Sequence, residues 1–322
     1  MRSRRVVALL LLAALLLLVA CVPRKPSPAA IAPAHTGTQG LVLNFLPNAP
    51  PAIIYARGDG SESGINVVVE IRNRGAYPPP LPGYPDSVAA TLYLLGFDPK
   101  IFMVSPASTK ISSGLEGRSA QNPEGGYVQV QFPAAGIRGT IPIWLPEGID
   151  IYPINLQATA CYEYSTMASL SVCVDPDPYN PLLEKPCVPA GAAVGGGQGA
   201  PVAISSVEQD SLQGAVIFRL RIANVGGGLV LRQGKAAACL DPLQVGFADQ
   251  DIISIPSDGV TLGTIRGECR PMSELRLGPG GQAVLTCKFP LQIGPAYTTT
   301  LNVRLDYGYV SSIIKPLQIK KI

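Results

Sequence analysis

The chain has 322 residues, one histidine and a formal net charge of +3 at pH 7. Three arginines within the first twenty residues account for this charge, so the remainder is near neutral and lacks the basic surface that nucleic-acid binding requires. Apolar residues make up 47% of the chain, which excludes a disordered protein, while 34 Gly and 32 Pro interrupt most stretches long enough for a helix.

The first segment is typical of an export signal. Arg2, Arg4 and Arg5 precede an apolar run at 6–20, which predicts a signal peptide over 1–20. Leu18-Val19-Ala20-Cys21 resembles the lipobox of prokaryotic lipoproteins, which implies cleavage before Cys21 and acylation of its thiol. An ordinary signal peptide or a short uncleaved anchor is the alternative. Residues 21–38, rich in proline, then form a predicted tether between a membrane-anchored cysteine and a domain outside the membrane.

An internal repeat organises the rest of the chain. Residues 65–75 read INVVVEIRNRG and residues 216–226 read VIFRLRIANVG, so that a shift of 151 places Asn73 on Asn224 and Gly75 on Gly226. Both segments alternate apolar and polar residues and end in an Asn-x-Gly turn. This pattern predicts a strand with one apolar face in each copy.

Three further segments recur in the same order. Residues 95–98 match 245–248, and GGYVQVQFP at 125–133 resembles GGQAVLTCKFP at 280–290. At a shift of 145, a set of aromatic and aliphatic positions also recurs, namely Tyr152, Leu156, Tyr162 and Tyr164 on Tyr297, Leu301, Tyr307 and Tyr309. Four collinear matches predict a duplicated module. Tyr162 and Tyr307 are expected to be equivalent and are similar to the tyrosine corner of β-sandwiches.

Each copy has the length of an immunoglobulin-like domain. We predict an all-β protein with two tandem immunoglobulin-like β-sandwiches at 39–179 and 201–322, joined by a flexible Gly/Pro-rich linker at 180–200. The strand with its Asn-x-Gly turn resembles CARDB-like and related immunoglobulin-like modules of prokaryotic surface proteins. The closing stretches of both copies resemble those of uncharacterised archaeal surface proteins with paired modules. These resemblances imply an envelope module and no known activity.

Six cysteines follow Cys21, and an even number in an exported protein favours disulfides. If 161–173 folds as a hairpin turning near Met167, Cys161 faces Cys173, and we predict that bridge. Cys269 is expected to pair with Cys287, with Cys239 an equally good partner for either. Cys187 is expected to bond to a neighbouring strand or to lock the two domains together.

Few side chains indicate catalysis or metal binding. The single histidine, His35, lies at the end of the tether, and no CxxC pair is present, so we expect neither a zinc site nor another cofactor. Asp175 and Asp177 lie in VCVDPDPYNP, a pattern that favours consecutive turns and is only a weak candidate for calcium. Asp249 and Asp251 are the second carboxylate pair that a hydrolase could use.

Two tyrosines are candidates for ligand contact. Tyr77 and Tyr84 lie in GAYPPPLPGYP, where rigid prolines beside aromatic rings could bind a glycan or protein or could cover a strand edge. Trp144, in IPIWLPEG, is expected to anchor the core. We therefore expect a non-enzymatic, lipid-anchored envelope protein that acts as a structural or adhesive module, with a protein or glycan partner or by self-assembly. A glycan-binding module and a carboxylate hydrolase are the alternatives.

Overall fold

The computed structural model describes residues 35–60, 66–133 and 141–322. The predicted signal peptide, Cys21 and the tether up to residue 34 lie outside the described residues. Within them the fold is all-β, as predicted, and the helical residues belong to two 3₁₀ turns at Ala236–Ala238 and Phe247–Asp249. No helix in these three ranges is long and apolar enough to cross a membrane.

The first copy contributes seven strands, which end with an exceptionally long one. Their bounds are β1 (Leu41–Phe45), β2 (Ile53–Ala56), β3 (Val67–Asn73), β4 (Ala90–Leu95), β5 (Ser108–Ile111), β6 (Tyr127–Phe132) and β7 (Ile151–Val174). A two-residue strand, β8 (Ala192–Ala193), lies in the segment predicted as the linker.

The second copy contributes ten strands and also ends with a long one. Their bounds are β9 (Val202–Leu212), β10 (Ala215–Asn224), β11 (Leu229–Leu231), β12 (Ile252–Ser254), β13 (Val260–Leu262), β14 (Ile265–Arg266), β15 (Glu268–Arg270), β16 (Glu274–Arg276), β17 (Gln282–Pro290) and β18 (Tyr297–Lys321).

These strands form three sheets. A small sheet in the first copy has the order β1-β3-β6, and its counterpart in the second copy has the order β15-β17-β10-β9-β8. The large sheet runs β14-β13-β18-β7-β4-β5, and β2, β11 and β12 also pair with β18. The alternation of apolar and polar residues explains why the sheets pack face to face, because β3 buries every second side chain along its whole length.

The large sheet joins the two copies. β7 pairs antiparallel with β18 without interruption, from Val174 opposite Tyr297 to Ile151 opposite Lys320. As a result, the described residues of both copies form one compact unit. The two sandwiches expected at 39–179 and 201–322 are therefore not separate bodies, because the closing strand of each copy pairs with the closing strand of the other.

The segment expected to be a flexible joint is bonded to the rest of the fold. Gly37 N–H donates to Gly196 O, and Gly199 N–H donates back to Gly37 O at 2.9 Å. Gln198 is buried, and its side chain makes two hydrogen bonds with the backbone of Ile204. The glycines permit these tight approaches, since a Cβ on Gly197 would overlap Gly37 O.

The disulfide map corrects one prediction. Cys161 bonds to Cys239 and Cys173 bonds to Cys187, so the predicted bridge between Cys161 and Cys173 is wrong. The reason is that YEYSTMASLSV contains no Gly, Pro, Asn or Asp to form a turn, and the segment continues as the middle of β7. Cys269 and Cys287, directly opposite each other on β15 and β17, form the third bridge, as predicted.

Trp144 also departs from its predicted role. It is 51% exposed and is not part of the core. It forms an isolated bridge with Asp59 at the rim, and its indole lies over Gly60, where a Cβ would overlap the ring. The core is instead filled by the alternating aliphatic residues of the sheets and by four tyrosines of β7 and β18.

Candidate functional site

Four buried tyrosines lie at the centre of the β7–β18 ladder. Tyr162 is opposite Tyr309, and Tyr164 is opposite Tyr307. All four are at most 2% exposed, and neighbouring rings lie 5.7–6.4 Å apart between centroids. Edge-to-face and tilted packing at such distances adds favourable contact beyond the burial of apolar area. The tyrosine cluster is thus a structural centre shared by both copies.

The tyrosine hydroxyls bind the small sheets in the same way in both copies. Tyr164 Oη donates to Asn73 Oδ1 at 3.1 Å, and its repeat equivalent Tyr309 Oη donates to Asn224 Oδ1 at 2.9 Å. The hydroxyls of Tyr162 and Tyr307 accept hydrogen bonds from the first residue of β1 and of β9, respectively. Leu41 N–H donates to Tyr162 Oη at 3.0 Å, and Val202 N–H donates to Tyr307 Oη at 3.4 Å.

This pairing gives the molecule an internal pseudo-twofold axis. The ladder is unchanged when each residue is exchanged for its repeat equivalent, and the equivalent residues Glu163 and Gly308 are directly opposite each other. Such self-complementary pairing is the geometry of an isologous dimer interface, here built within one chain. The predicted duplication therefore has a structural counterpart in how the two copies meet.

A 3₁₀ turn of the second copy, Ala236–Ala238, lies against the centre of the β7–β18 ladder. Cys239 ties the 3₁₀ turn at Ala236–Ala238 to β7, and Ala236 N–H donates to Glu163 Oε1 at 3.0 Å. Glu163 Oε2 is buried and has no hydrogen-bond partner among the described residues. It borders a cavity of about 420 Å³ whose lining is mostly apolar and also includes Lys110. Among the residues that line this cavity, Lys110 and Glu163 are the charged ones.

Burial keeps the tyrosine cluster neutral. It raises the pKa of Tyr309 to about 12, with the hydrogen bond from Gly228 N–H partly opposing this effect. Burial is also the largest cause of the raised pKa values of Tyr162, Tyr164 and Tyr307. At neutral pH these phenols are protonated, and their hydroxyls are hydrogen-bonded within the fold.

The two tyrosines of the proline-rich loop have different surroundings. Tyr77 is half-buried, and its ring packs edge-on against Tyr164 at 5.3 Å, so it extends the tyrosine cluster rather than facing solvent. Burial raises its pKa. Tyr84 lies farther out, 6.4 Å from Tyr77 between ring centroids, with the Arg304 guanidinium 5.7 Å from its ring centre. Of the two, only Tyr84 borders an open groove.

That groove, the proline groove, has a volume of about 540 Å³. Its walls combine apolar rings with polar side chains, namely Pro78–Pro80, Leu81, Pro82, Tyr84, Pro85, Asp86, Glu116, Gly117, Ser119 and Asn122. Sequence reasoning missed a buried carboxylate close to Tyr77 and Arg304. Asp306 is 3% exposed and accepts from Ser165 Oγ at 2.6 Å and from Arg304 Nε at 3.0 Å. Its position within a long alternating strand provided no signal for this role.

The first carboxylate pair forms a turn. Asp175 Oδ1 accepts from Asp177 N–H at 3.2 Å, which is the local hydrogen bond expected of Asp in a turn. Asp175 Oδ2 pairs with Lys185 Nζ at 2.5 Å, and the same ammonium group donates to Asp177 O. Lys185 thus supplies at Asp175 the positive charge that calcium would supply. In the described ranges, no three His, Cys, Asp or Glu side chains are grouped to hold a metal ion.

In the second carboxylate pair, Asp249 is held in ion pairs. Asp249 Oδ1 lies 3.0 Å from Arg232 Nε, and Asp249 Oδ2 lies 3.6 Å from Lys235 Nζ. Desolvation acts to raise the Asp249 pKa, but the hydrogen bonds from Gly246 N–H and Arg232 and the two cations outweigh it and lower the pKa. Asp251 follows the 3₁₀ turn at Phe247–Asp249 and adopts φ 58°. The Asp249 carboxylate therefore serves loop structure.

A scan of protein-family models and a search of curated proteins found no match for this chain.

Proposed function

We propose that this chain is a non-enzymatic, exported and lipid-anchored protein of the cell envelope that acts as a structural or adhesive interaction module. The observation that carries the proposal is that the candidate reactive groups are used to hold the fold. Asp175, Asp249 and Asp306 are each paired with a cation, and the tyrosine cluster is buried and neutral.

Export is supported by the covalent structure. Three disulfides join six cysteines, and disulfides of this kind form and persist in oxidising compartments outside the cytoplasm. Acyl chains on Cys21 would add about 0.8 kcal/mol per buried methylene, so two or three chains would hold the protein at a membrane. The CARDB-like resemblance of the Asn-x-Gly strands is consistent with such a role.

The test is the intact mass of the native protein, together with membrane fractionation of the wild type and of Cys21→Ser. We expect a mass that begins at Cys21 and carries acyl chains, membrane association of the wild type, and release of Cys21→Ser. An unmodified Cys21, or equal membrane association of both forms, would contradict the anchor. Partners that co-purify with the wild type after mild detergent extraction identify the adhesive contact.

Glycan binding at the proline groove is the second candidate, because Tyr84 and several prolines face carboxylate and amide side chains there. A glycan array should then show saturable binding that Tyr84→Ala abolishes. Tyr179→Ala is a suitable control, since Tyr179 is 75% exposed and does not line the groove. Binding that survives Tyr84→Ala would assign the glycan to another surface. The hydrolase alternative has less support, because one member of each candidate pair, Asp175 and Asp249, is paired with a cation.

A further inference from the structure

The proline groove carries negative charge that the described residues leave unpaired. Asp86 and Glu116 are the charged residues of its lining, and both are exposed. Within the described ranges, neither carboxylate has a hydrogen-bond or ion-pair partner. A cleft that carries charge of one sign between walls of low polarity concentrates ions of the opposite sign. The groove therefore fits a ligand that combines apolar groups with positive charge.

The arginines around the groove are bonded to other groups. Arg304 pairs with Asp306 at 3.0 Å, and Arg74 pairs with Glu124 at 2.8 Å. Arg118 donates to three backbone carbonyl oxygens. Positive charge that would complement the two lining carboxylates is therefore absent from the described walls of the groove, and a ligand can supply it.

Local hydrogen bonds hold the walls of the groove. Leu81 N–H donates to Pro79 O at 2.8 Å on one wall, and Asn122 N–H donates to Ser119 Oγ at 3.0 Å on the other. Gly117 brings the two walls together, since a Cβ there would overlap backbone oxygens of the proline-rich loop. Because the surface is already formed, a ligand that binds to it loses less entropy.

The described part of the chain begins beside this groove. Thr36 O accepts a hydrogen bond from Arg118 Nη1 at 3.1 Å, and the two sequence neighbours of Arg118, Gly117 and Ser119, line the groove. Lys25 precedes Thr36 by eleven residues, and a chain of that length spans up to about 36 Å when extended. The residues around Lys25 can therefore reach the groove.

The tether has the composition that the groove fits. Arg24 and Lys25 are its two basic residues, and it contains no acidic residue. Pro23 and Pro26 flank this pair with the P-x-x-P spacing. Segments of this kind dock into grooves bordered by aromatic rings and lose little conformational freedom when they do so. The tether thus offers the apolar groups and the positive charge together.

We propose that residues 22–28 of this chain occupy the proline groove, with Arg24 and Lys25 close to the two lining carboxylates. The inference deepens the proposed anchoring, and the membrane orientation that follows from it rests on that anchor. Acyl chains on Cys21 would leave the protein next to the groove, so the proline-rich loop would face the membrane. A glycan could then enter the groove only by displacing the tether.

Zero-length cross-linking tests the contact in the full chain in detergent. A carbodiimide joins an amine to a carboxylate when the two groups touch, and peptide mapping by mass spectrometry locates the product. We expect Lys25 to be linked to Asp86 or Glu116, and the absence of both links would overturn the proposal. In an equimolar mixture of isotopically light and heavy chains, each link should lie within one chain. Links between light and heavy chains would assign the groove to the tether of another copy and overturn the proposal too.

Trypsin cleavage between Arg24 and Lys25 gives a second measurement, with intact mass to identify the cut. Docking should protect this bond. The double variant Asp86→Asn/Glu116→Gln should be cut about fivefold faster or more than the wild type, because two ion pairs at exposed carboxylates are lost. Thermal unfolding confirms that the variant is folded.

The matched control is Glu147→Gln/Asp258→Asn, which removes two exposed carboxylates that do not line the groove. This form should be cut at the wild-type rate. Equal cleavage of the wild type, the control and the groove variant would contradict the docking. So would an unprotected wild type whose groove binds an added glycan, since the groove would then serve an external partner. Protection in a chain with an unmodified Cys21 would overturn the anchor and leave this inference standing, and an acylated chain without protection would do the reverse.

Discussion

At the scale of single residues, the Asn-x-Gly turn connects each small sheet to the tyrosine cluster. Asn73 is fully buried, and its Nδ2 donates to Tyr77 O at 2.7 Å and to Leu115 O at 3.1 Å. Its Oδ1 accepts from Gly75 N–H and from Tyr164 Oη. Glycine is required two residues later, because a Cβ on Gly75 would overlap the Tyr164 hydroxyl and Gly199 O.

The two asparagines predict unequal losses of stability. Asn73→Ala leaves several buried partners unpaired and should lower the free energy of unfolding by about 2–3 kcal/mol. Asn224→Ala, at the partly buried equivalent site with one donor and one acceptor contact, should cost about 1 kcal/mol. Denaturant unfolding of both variants measures the difference. An Asn224→Ala loss equal to or larger than that of Asn73→Ala would contradict this assignment.

Because burial raises the pKa of Tyr309, we expect the free energy of unfolding to fall in alkaline solution. Its folded-state pKa of about 12 lies above the ordinary value of 10, so its contribution is complete below pH 10 and disappears as the pH rises toward 12. At pH 11 the wild type should have lost about 1 kcal/mol from this group relative to pH 8. Tyr309→Phe should therefore show a shallower decline of unfolding free energy between these values, and equal slopes would argue against the assignment.

The sequence identified the four tyrosines of the cluster but not their hydrogen-bond partners. The match between Tyr162, Tyr164, Tyr307 and Tyr309 predicted equivalent positions, and the structure places each on the same kind of backbone or asparagine partner. Asp306 was missed because its hydrogen bond to Ser165 joins β7 and β18, whose pairing was not foreseen. Trp144 was misassigned because aromatic size alone does not distinguish a rim position from the core.

At the scale of elements, β7 and β18 have the largest effect on the fold. The alternating apolar pattern predicted strands correctly, and the Asn-x-Gly turns predicted where β3 and β10 end. Length was misjudged in β7, where a hairpin was expected near Met167. Met167 instead lies opposite Arg304 within an unbroken ladder. A strand of 24 residues is several times the usual length, so a turn was expected although the segment contains no turn residues.

The disulfides should contribute unequally because they close loops of different length. Cys161–Cys239 spans 78 positions and connects the two copies, whereas Cys173–Cys187 spans 14. In the loop-entropy description, removal of the first should cost about 4 kcal/mol and removal of the second about 3 kcal/mol. Denaturant unfolding of the paired Cys→Ala variants measures both. A larger loss for the 173–187 pair would show that local strain or packing, and not loop closure, dominates.

At the scale of the whole molecule, the two copies complete each other. Each copy alone would expose one edge of its long closing strand and the tyrosine rings that pack against the tyrosines of the other copy. The sequence could predict two modules but not the pairing of β7 with β18. The alternation of apolar and polar residues in a strand does not identify the strand that pairs with it. Cooperative unfolding of residues 33–322 in a single transition is the expected consequence.

The most direct test of this union is the behaviour of the separated copies. Residues 35–190 and 191–322 are produced alone and together in an oxidising compartment, and each product is examined by sedimentation and thermal unfolding. We expect neither half alone to be a folded monomer, and we expect the co-produced halves to purify as one particle joined by Cys161–Cys239. A monomeric half that unfolds cooperatively on its own would contradict the account.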